Sequence, residues 1–253
     1  MILGVAGAGK TYRICHEIDP KKKNLLIAFT HENIHNIHRE LSHLPGGFPL
    51  KTEAVTFDSF VHRFTISPFV SYISKRFDYK DEPPRGVTLI KPPVKSFKMP
   101  DGSFRKNPCY HRVSSLLHYI DSNKRFYCDS QCELVIRVGD GLLNKIIGLL
   151  NRCYDSIYID EFQDFRLSEY EFLSSVCSKL DSVTLVGDFY QHSVVPLKNF
   201  GAPYENKKIP ITYDEFKSNL EMQGFVVDEA TLRLSRRCSP NICEFIRTKL
   251  NIK

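Results

Sequence analysis

Residues 1–11 read MILGVAGAGKT and fit the pattern G-x-x-x-x-G-K-[ST]. In this pattern a buried strand leads through a glycine-rich loop into the N terminus of a helix, where backbone N–H groups bind phosphate. Small residues let these N–H groups converge, and they are Gly4, Ala6, Gly7, Ala8 and Gly9. Lys10 would then contact the phosphates, and the Thr11 hydroxyl would bind Mg²⁺. We therefore expect a phosphate-binding loop, and the alternative is a glycine-rich turn that matches by chance.

A pair of acidic residues follows a second apolar run. Residues 156–164 read SIYIDEFQD, so that Asp160 and Glu161 directly follow the run Ile157–Ile159. A carboxylate at the C-terminal end of a parallel strand lies where such sheets bind ligands. We therefore expect Asp160 to hold Mg²⁺ and Glu161 to position and deprotonate an attacking water, on a strand adjacent to the first one. The alternative is an acidic turn that caps the next helix.

The order of the apolar runs predicts the fold class. Residues 24–30 form a continuous apolar stretch of strand length, a helix is expected over residues 31–41, and residues 54–57 form a third strand. This alternation indicates an α/β protein with a doubly wound parallel sheet. Asp58 and Ser59 are expected to cap a helix that begins near Phe60.

Residues 65–150 break this alternation. Prolines fall there among many basic and aromatic residues, which predicts irregular, exposed chain. Two interpretations fit: a basic, aromatic platform for single-stranded nucleic acid, or a solvated loop whose aromatic residues fix it to the domain. Helices are expected over residues 112–121, with Leu116, Leu117 and Ile120 on one face, and over residues 133–152, with a break near Gly139.

The composition limits the class of protein. The chain has 253 residues, 42% of them hydrophobic, and its net charge of +6 is compatible with a polyanionic partner. No apolar run of about 18 residues occurs, so that we expect a cytoplasmic protein that is neither secreted nor membrane-spanning. The 8 cysteines are then expected as thiols. A zinc site at Cys109, His111, Cys128 and Cys132 is the weaker alternative, because its spacing is looser than usual.

Six stretches occur in a fixed order along the chain: GVAGAGKT (4–11), LLIAFTHENI (25–34), VTFDSF (55–60), SIYIDEFQD (156–164), TLVGDFYQ (184–191) and LRLSRRCSPNI (232–242). They resemble motifs I, Ia, Ib, II, III and IV of superfamily 1 helicases of the UvrD/Rep/PcrA kind. The resemblance implies a RecA-like P-loop NTPase with an inserted 1B-like subdomain. It divides the chain into the first part of the lobe (1–64), the insertion (65–150), the second part of the lobe (151–228) and the start of a second lobe (229–253).

The resemblance also implies an activity, which is ATP hydrolysis coupled to movement along single-stranded DNA. ATP and Mg²⁺ are the implied cofactors. Lys10 and Thr11 match the residues that bind phosphate and Mg²⁺ in the family. Asp160 matches the residue that holds the metal, and Glu161 matches the general base.

Further roles follow from the same resemblance. Gln191 would sense the γ-phosphate, and Arg237, with Arg236 as the alternative, would reach it from the second lobe. The glutamine motif that contacts adenine in the family has no counterpart in this sequence, which leaves the base selectivity open, and Tyr12 is a candidate to stack on the base in its place. The residues that fall where the family contacts DNA are Phe29, Thr30, His31, Ser59 and Phe60.

The 253 residues contain no counterpart of the family's motifs V and VI. We therefore expect the chain alone to bind ATP better than it works as a motor, as a helicase lobe that is either truncated or completed by a partner chain. The alternative, from another class, is a non-motor ATP-binding switch that acts on a protein partner, for example in antiphage defence. Turnover that is indifferent to DNA would favour the switch.

Overall fold

The computed structural model describes residues 1–165, 167–192, 201–207, 209–232, 235–236 and 238–250. The chain forms two compact units. The first comprises Met1–Phe57 and Leu149–Lys253, and the second comprises Asp58–Gly148. No helix within the described ranges is long and apolar enough to cross a membrane.

Strands and helices alternate in the first unit. The strands of the second unit have only two or three residues each. The strands are β1 (Ile2–Leu3), β2 (Asn24–Ala28), β3 (Thr52–Thr56), β4 (Val87–Thr88), β5 (Ser96–Lys98), β6 (Phe104–Lys106), β7 (Phe126–Tyr127), β8 (Ser156–Ile159), β9 (Val183–Gly187), β10 (Glu205–Asn206) and β11 (Ile209–Pro210). The α-helices are α1 (Lys10–Glu17), α2 (His31–Ser42), α3 (Phe57–Phe60), α4 (Val70–Arg76), α5 (Gln131–Val138), α6 (Asp140–Cys153), α7 (Ser168–Cys177), α8 (Tyr213–Met222) and α9 (Pro240–Leu250).

A five-stranded sheet in the order β1-β9-β8-β2-β3 forms the centre of the first unit, and every neighbouring pair is parallel. The expected α/β class with a parallel sheet is therefore confirmed. β2 is buried along its whole length, as its continuous apolar sequence predicts. One expectation is wrong: β1 and β8 are not adjacent, because β9 pairs with both and lies between them.

The helices α1 and α2 pack with the sheet in one apolar cluster. Its members are Ala8, Ile14, Cys15, Ile18, Leu26, Ala28, Ile37, Leu41, Tyr158, Val186 and Leu232. Burial of each larger aliphatic side chain contributes about 1.5–3 kcal/mol to folding. The cluster therefore fixes the start of α1 relative to the ends of β8 and β9, which are the elements that carry the candidate site.

The second unit contains a parallel pair, β4 with β7, and an antiparallel pair, β5 with β6. The prediction of a helix over residues 112–121 is wrong, because the helical part of this stretch is a single 3₁₀ turn at Leu116–His118. Beyond the turn, the carbonyl of Tyr119 accepts a hydrogen bond from the N–H of Tyr127 over 2.9 Å. This pairing of distant backbone groups replaces the helix that the local apolar spacing favours.

Two further expectations concern the ends of helices in this part of the chain. The break near Gly139 is confirmed, because Gly139 lies between α5 and α6 and has a φ of 90°. The prediction that Asp58 and Ser59 cap a helix is wrong, because α3 begins at Phe57 and includes both residues. α3 is followed directly by a π-helix, Val61–Ile66.

Candidate functional site

The loop Gly4–Thr11 connects β1 to α1 and depends on its glycines. Gly7 has a φ of 72° and Gly9 a φ of 87°, which is the left-handed region that favours glycine. Gly4 is restricted by space instead, because a Cβ at this position would lie 2.8 Å from the Cβ of Leu232. The loop therefore requires glycine at Gly7 and Gly9 because of the backbone conformation, and at Gly4 because of the limited space.

Backbone hydrogen bonds hold this loop from two sides. On one side, the N–H of Gly4 donates to the carbonyl of Gly187 at the end of β9, over 2.9 Å. On the other side, the carbonyl of Leu232 accepts from Val5 over 3.2 Å, and the N–H of Arg236 donates to the loop carbonyl of Gly7 over 2.8 Å. The loop is therefore held between the end of β9 on one side and Leu232 and Arg236 on the other.

The N terminus of α1 faces out of this loop. Gly9 is its N-cap residue and has no side chain with which to cap the first N–H groups. The first turn also contains no acidic residue. These N–H groups and the positive end of the helix dipole are therefore suited to bind an anion.

Lys10, the first residue of α1, has a buried side chain. Its Nζ lies 3.4 Å from Oε1 of Gln191 and 3.7 Å from Oδ2 of Asp188. Burial raises the pKa of Asp188, and the charge of Lys10 acts in the opposite direction. An incoming phosphate would have to replace these oxygen atoms around the ammonium group.

The Thr11 hydroxyl connects the loop to the acidic motif. Its Oγ1 donates a hydrogen bond to Oδ2 of Asp160 over 2.7 Å. Asp160 follows β8 and is only 2% exposed, and burial together with the charge of Glu161 raises its pKa to about 6. The structure thus places a hydroxyl oxygen and a carboxylate oxygen side by side, and these are atoms that Mg²⁺ prefers as ligands.

Glu161 has an unusual backbone conformation, with a φ of 54°. A residue other than glycine adopts this left-handed region at an energetic cost, and such residues often lie at functional sites. The N–H of Glu161 donates to Oδ1 of Asp160 over 3.0 Å, which stabilises the turn. As a result, the Glu161 side chain projects from a sharp turn at the end of β8.

Gln163 connects the acidic motif to the end of β9, and the sequence analysis did not select it. Its Nε2 donates to Oε2 of Glu161 over 2.6 Å, and its Oε1 accepts from the N–H of Asp188 over 2.9 Å. The side chain is buried and lies against Gly187, where a Cβ would come within 3.0 Å of Oε1. The only sequence signal was the position of Gln163 within SIYIDEFQD.

An aromatic and cationic group lies beside the start of α1. The rings of Tyr12 and His16 are stacked, with centroids 3.8 Å apart, and the guanidinium carbon of Arg236 lies 4.7 Å from the centroid of the Tyr12 ring. The same guanidinium lies next to Gly9. The structure thus places Arg236 at the phosphate loop, whereas Arg237, the residue that the sequence analysis preferred, lies outside the described residues.

The residues expected to contact DNA are divided between the two units. In the first unit, Phe29 packs edge-on against Phe165, the Thr30 hydroxyl caps α2, and His31 is exposed. In the second unit, Ser59 is half-buried, and Phe60 is only 2% exposed. The Phe60 ring is therefore part of the core in this structure and does not offer a face to a base.

The alternative zinc site does not form in this structure. Cys109 is exposed, Cys128 is half-buried and Cys132 is buried, and none of the three forms a disulfide within the described residues. Throughout the part of the chain that the structure describes, no three His, Cys, Asp or Glu side chains are grouped as a metal site. The four residues considered for zinc are therefore not assembled.

The chain matches no model of a known protein family and no curated protein. At one place the first unit assembles an ammonium group (Lys10), a hydroxyl (Thr11), acidic side chains (Asp160, Glu161) and an amide (Gln191). Such a set can bind a phosphorylated ligand with a divalent cation and can activate a water molecule beside it.

Proposed function

We propose that this chain is a RecA-like P-loop NTPase that binds ATP and Mg²⁺ at the loop Gly4–Thr11. We further propose that ATP hydrolysis is coupled to binding of single-stranded DNA, as in the ATP-binding lobe of a UvrD-like superfamily 1 helicase or translocase. The observation that carries the proposal is the 2.7 Å hydrogen bond between Thr11 and Asp160. Two motifs that are each typical of ATP hydrolysis meet at this point, beside the buried Lys10.

Magnesium fits the residues at this position. Thr11 and Asp160 supply two oxygen atoms, and Mg²⁺ usually takes one or two protein ligands and completes its shell with phosphate and water. The bound cation would supply charge neutralisation at the phosphates. The backbone N–H groups at the start of α1 and the Lys10 ammonium would bind the phosphates themselves.

Each acidic or amide side chain has a proposed role. Glu161 orients the attacking water and accepts its proton, and Gln163 holds Glu161 in position through the 2.6 Å hydrogen bond. Gln191 contacts Lys10 and would report the presence of the γ-phosphate. Arg236 is a candidate for a cation at the nucleotide, because its guanidinium lies beside Gly9.

The DNA-binding part of the proposal is supported by charge and exposure. The chain has a net charge of +6, which favours a polyanionic partner. His31 and Thr30 are exposed at the end of β2, where parallel sheets bind ligands. A motor needs a second lobe in order to convert hydrolysis into movement.

The test is an ATP hydrolysis assay with and without single-stranded oligothymidylate. We expect Glu161→Gln to lower turnover by about 10²–10⁴-fold while ATP still binds. We expect Lys10→Ala to weaken ATP binding as well. Lys179→Ala and Glu171→Gln change exposed residues of the same unit and serve as matched controls.

The outcomes separate the candidate functions. Wild-type turnover in Glu161→Gln would contradict the proposed hydrolytic site. Tight ATP binding with slow turnover that DNA does not change, even with a second lobe supplied, would favour the ATP-binding switch over the helicase-type ATPase.

A further inference from the structure

The positive charge of the chain is concentrated in one stretch of the second unit. Residues 85–112 contain seven Lys and Arg residues against one acidic residue, Asp101, so that their net charge is +6. The whole chain also has a net charge of +6, which means that the remaining residues are neutral as a set. A polyanion would therefore be attracted mainly to this stretch.

The centre of this stretch is a hairpin, residues 94–107, which we call the basic hairpin. Its strands β5 and β6 are antiparallel, and Met99 and Ser103 close the turn through a 2.8 Å hydrogen bond. Asp101 accepts hydrogen bonds from the backbone and the hydroxyl of Ser103, so that the one carboxylate belongs to the turn. At the base of the hairpin, the N–H of Asn107 donates to the carbonyl of Lys95 over 3.1 Å.

The register of the basic hairpin places an aromatic ring directly opposite a cation on each face. Phe97 pairs with Arg105 on one face, and Lys98 pairs with Phe104 on the other. Directly paired residues of an antiparallel pair share a face, and neighbouring residues alternate between faces. Ser96 and Lys106 also pair, on the same face as Lys98 and Phe104.

These side chains are open to solvent. Phe97 is 47% exposed and Phe104 is 71% exposed, although burial of a phenylalanine side chain is normally favourable. Within the described part of the chain, neither ring packs on another aromatic ring, and Lys98, Arg105 and Lys106 form no ion pair. Both the rings and the cations are therefore available to a ligand.

We propose that the basic hairpin binds single-stranded nucleic acid, with Phe97 and Phe104 stacked on bases and the neighbouring cations on phosphates. Aromatic rings interleaved with cations form the usual surface for unpaired strands, because each nucleotide offers both a π-face and a negative charge. The inference rests on the single-stranded-DNA part of the proposed function, and it does not depend on the ATP site.

A single strand fits this surface better than a membrane does. A hairpin that inserts into a bilayer carries apolar side chains at its tip, because the tip enters the acyl region. The tip of the basic hairpin instead contains the charged Asp101, and its rings lie along the strands. Each face of the hairpin therefore offers one ring beside a cation, a pair that suits one base and its phosphate.

The test uses the full chain without nucleotide and measures the binding of fluorescently labelled oligothymidylate by anisotropy at several salt concentrations. We expect Phe97→Ala and Phe104→Ala each to weaken binding by about fivefold or more with an unchanged salt dependence. We expect Lys95→Gln, Lys98→Gln and Lys106→Gln together to reduce the slope of log affinity against log salt by up to about 2.

Matched variants separate the proposal from general effects. Phe97→Tyr and Phe104→Tyr keep the rings and should bind like wild type. Lys21→Gln, Lys22→Gln and Lys23→Gln together remove the same charge from an exposed stretch of the first unit and should leave the salt slope unchanged. If the three control substitutions reduced the salt slope as much as those in the hairpin, the proposal would be overturned, because the slope would then reflect the net charge of the chain alone.

Two other outcomes would also overturn it. One is wild-type binding of oligothymidylate by the alanine variants. The other is binding to vesicles of phosphatidylcholine and phosphatidylserine that needs Phe97 and Phe104, without binding of the oligonucleotide. Lys10→Ala should lose ATP hydrolysis and keep hairpin-dependent binding, so that failure of the ATP site and failure of the hairpin proposal give different results.

Discussion

Thr11 Oγ1 donates a hydrogen bond to Asp160 Oδ2 over 2.7 Å, although 149 positions of chain separate the two residues. Two oxygen atoms that could bind the same cation are thereby held in contact. We expect Thr11→Ala to lower Mg²⁺-dependent ATP hydrolysis by at least about tenfold, because one ligand position is lost. Thr11→Ser keeps the hydroxyl and should retain most of the activity. Equal Mg²⁺ dependence of hydrolysis in the alanine variant and the wild type would contradict this role.

Gln163 joins Glu161 to the backbone of Asp188 through two hydrogen bonds. We expect Gln163→Ala to lower kcat by about tenfold or more and to leave KM for ATP nearly unchanged, because the variant would disturb Glu161, the proposed water-activating group, and not the phosphate loop. Gln223→Ala is the matched control, since Gln223 bonds Tyr170 elsewhere in the same unit. A rise in KM with constant kcat would show that Gln163 supports nucleotide binding instead.

The buried Asp160 should make the stability of the protein depend on pH. Burial raises its pKa from 3.8 to about 6, so that the folded state binds this proton more tightly than the unfolded state does. The resulting stabilisation is complete below about pH 4 and is lost as the pH rises through about 6. From about pH 5 to about pH 7.5, we expect the metal-free protein to lose about 1 kcal/mol in free energy of unfolding at this residue.

Urea unfolding of the wild type and of Asp160→Asn at both pH values would isolate this contribution. The asparagine keeps an oxygen for the Thr11 hydroxyl but has no carboxyl group to titrate. Its free energy of unfolding should therefore fall less over this pH range than that of the wild type. The same fall in both proteins would assign the pH dependence to other groups.

Gly4 lies against Leu232, which leaves too little space for a methyl group. We expect Gly4→Ala to destabilise the protein by about 1–3 kcal/mol, as overpacking generally does, and to weaken ATP binding. Leu232→Gly removes the Cβ that would clash and should partly restore ATP binding in the double variant. Gly148→Ala is the control: it lies in the helix α6 with open space around it, and should stabilise by roughly 0.5–1 kcal/mol.

The local parts of the fold were predictable from the sequence, because local chemistry decides them. The continuous apolar run at β2 has the length of a covered strand, and Gly139, with its φ of 90°, breaks the helical stretch around it. The prediction of a helix over residues 112–121 was wrong because a non-local contact decides this stretch. Its apolar spacing is helical, but the backbone of Tyr119 pairs with that of Tyr127 instead of forming helical hydrogen bonds. Local preference is a weak prior where tertiary hydrogen bonds compete.

The order of the strands in the sheet could not be predicted from the sequence, for a related reason. Nothing within the loop or within SIYIDEFQD shows that β9 lies between them, because strand order is decided by contacts among distant segments. The role of Gln163 depends on that order, since its amide reaches Asp188 only because β8 and β9 are neighbours. Residue types and spacing in the sequence identify candidate site residues, whereas the order of the strands determines which of them form hydrogen bonds with one another.

The position of β9 between β1 and β8 has a kinetic consequence. The candidate site combines residues from the start of α1 with residues that follow β8 and β9, so that three stretches far apart in the chain have to be in place before a nucleotide can bind. Contacts of such high sequence separation are slow to form, because each requires the closure of a long loop. ATP should therefore slow unfolding and extend the lifetime of the native state, while the rate of refolding stays nearly the same.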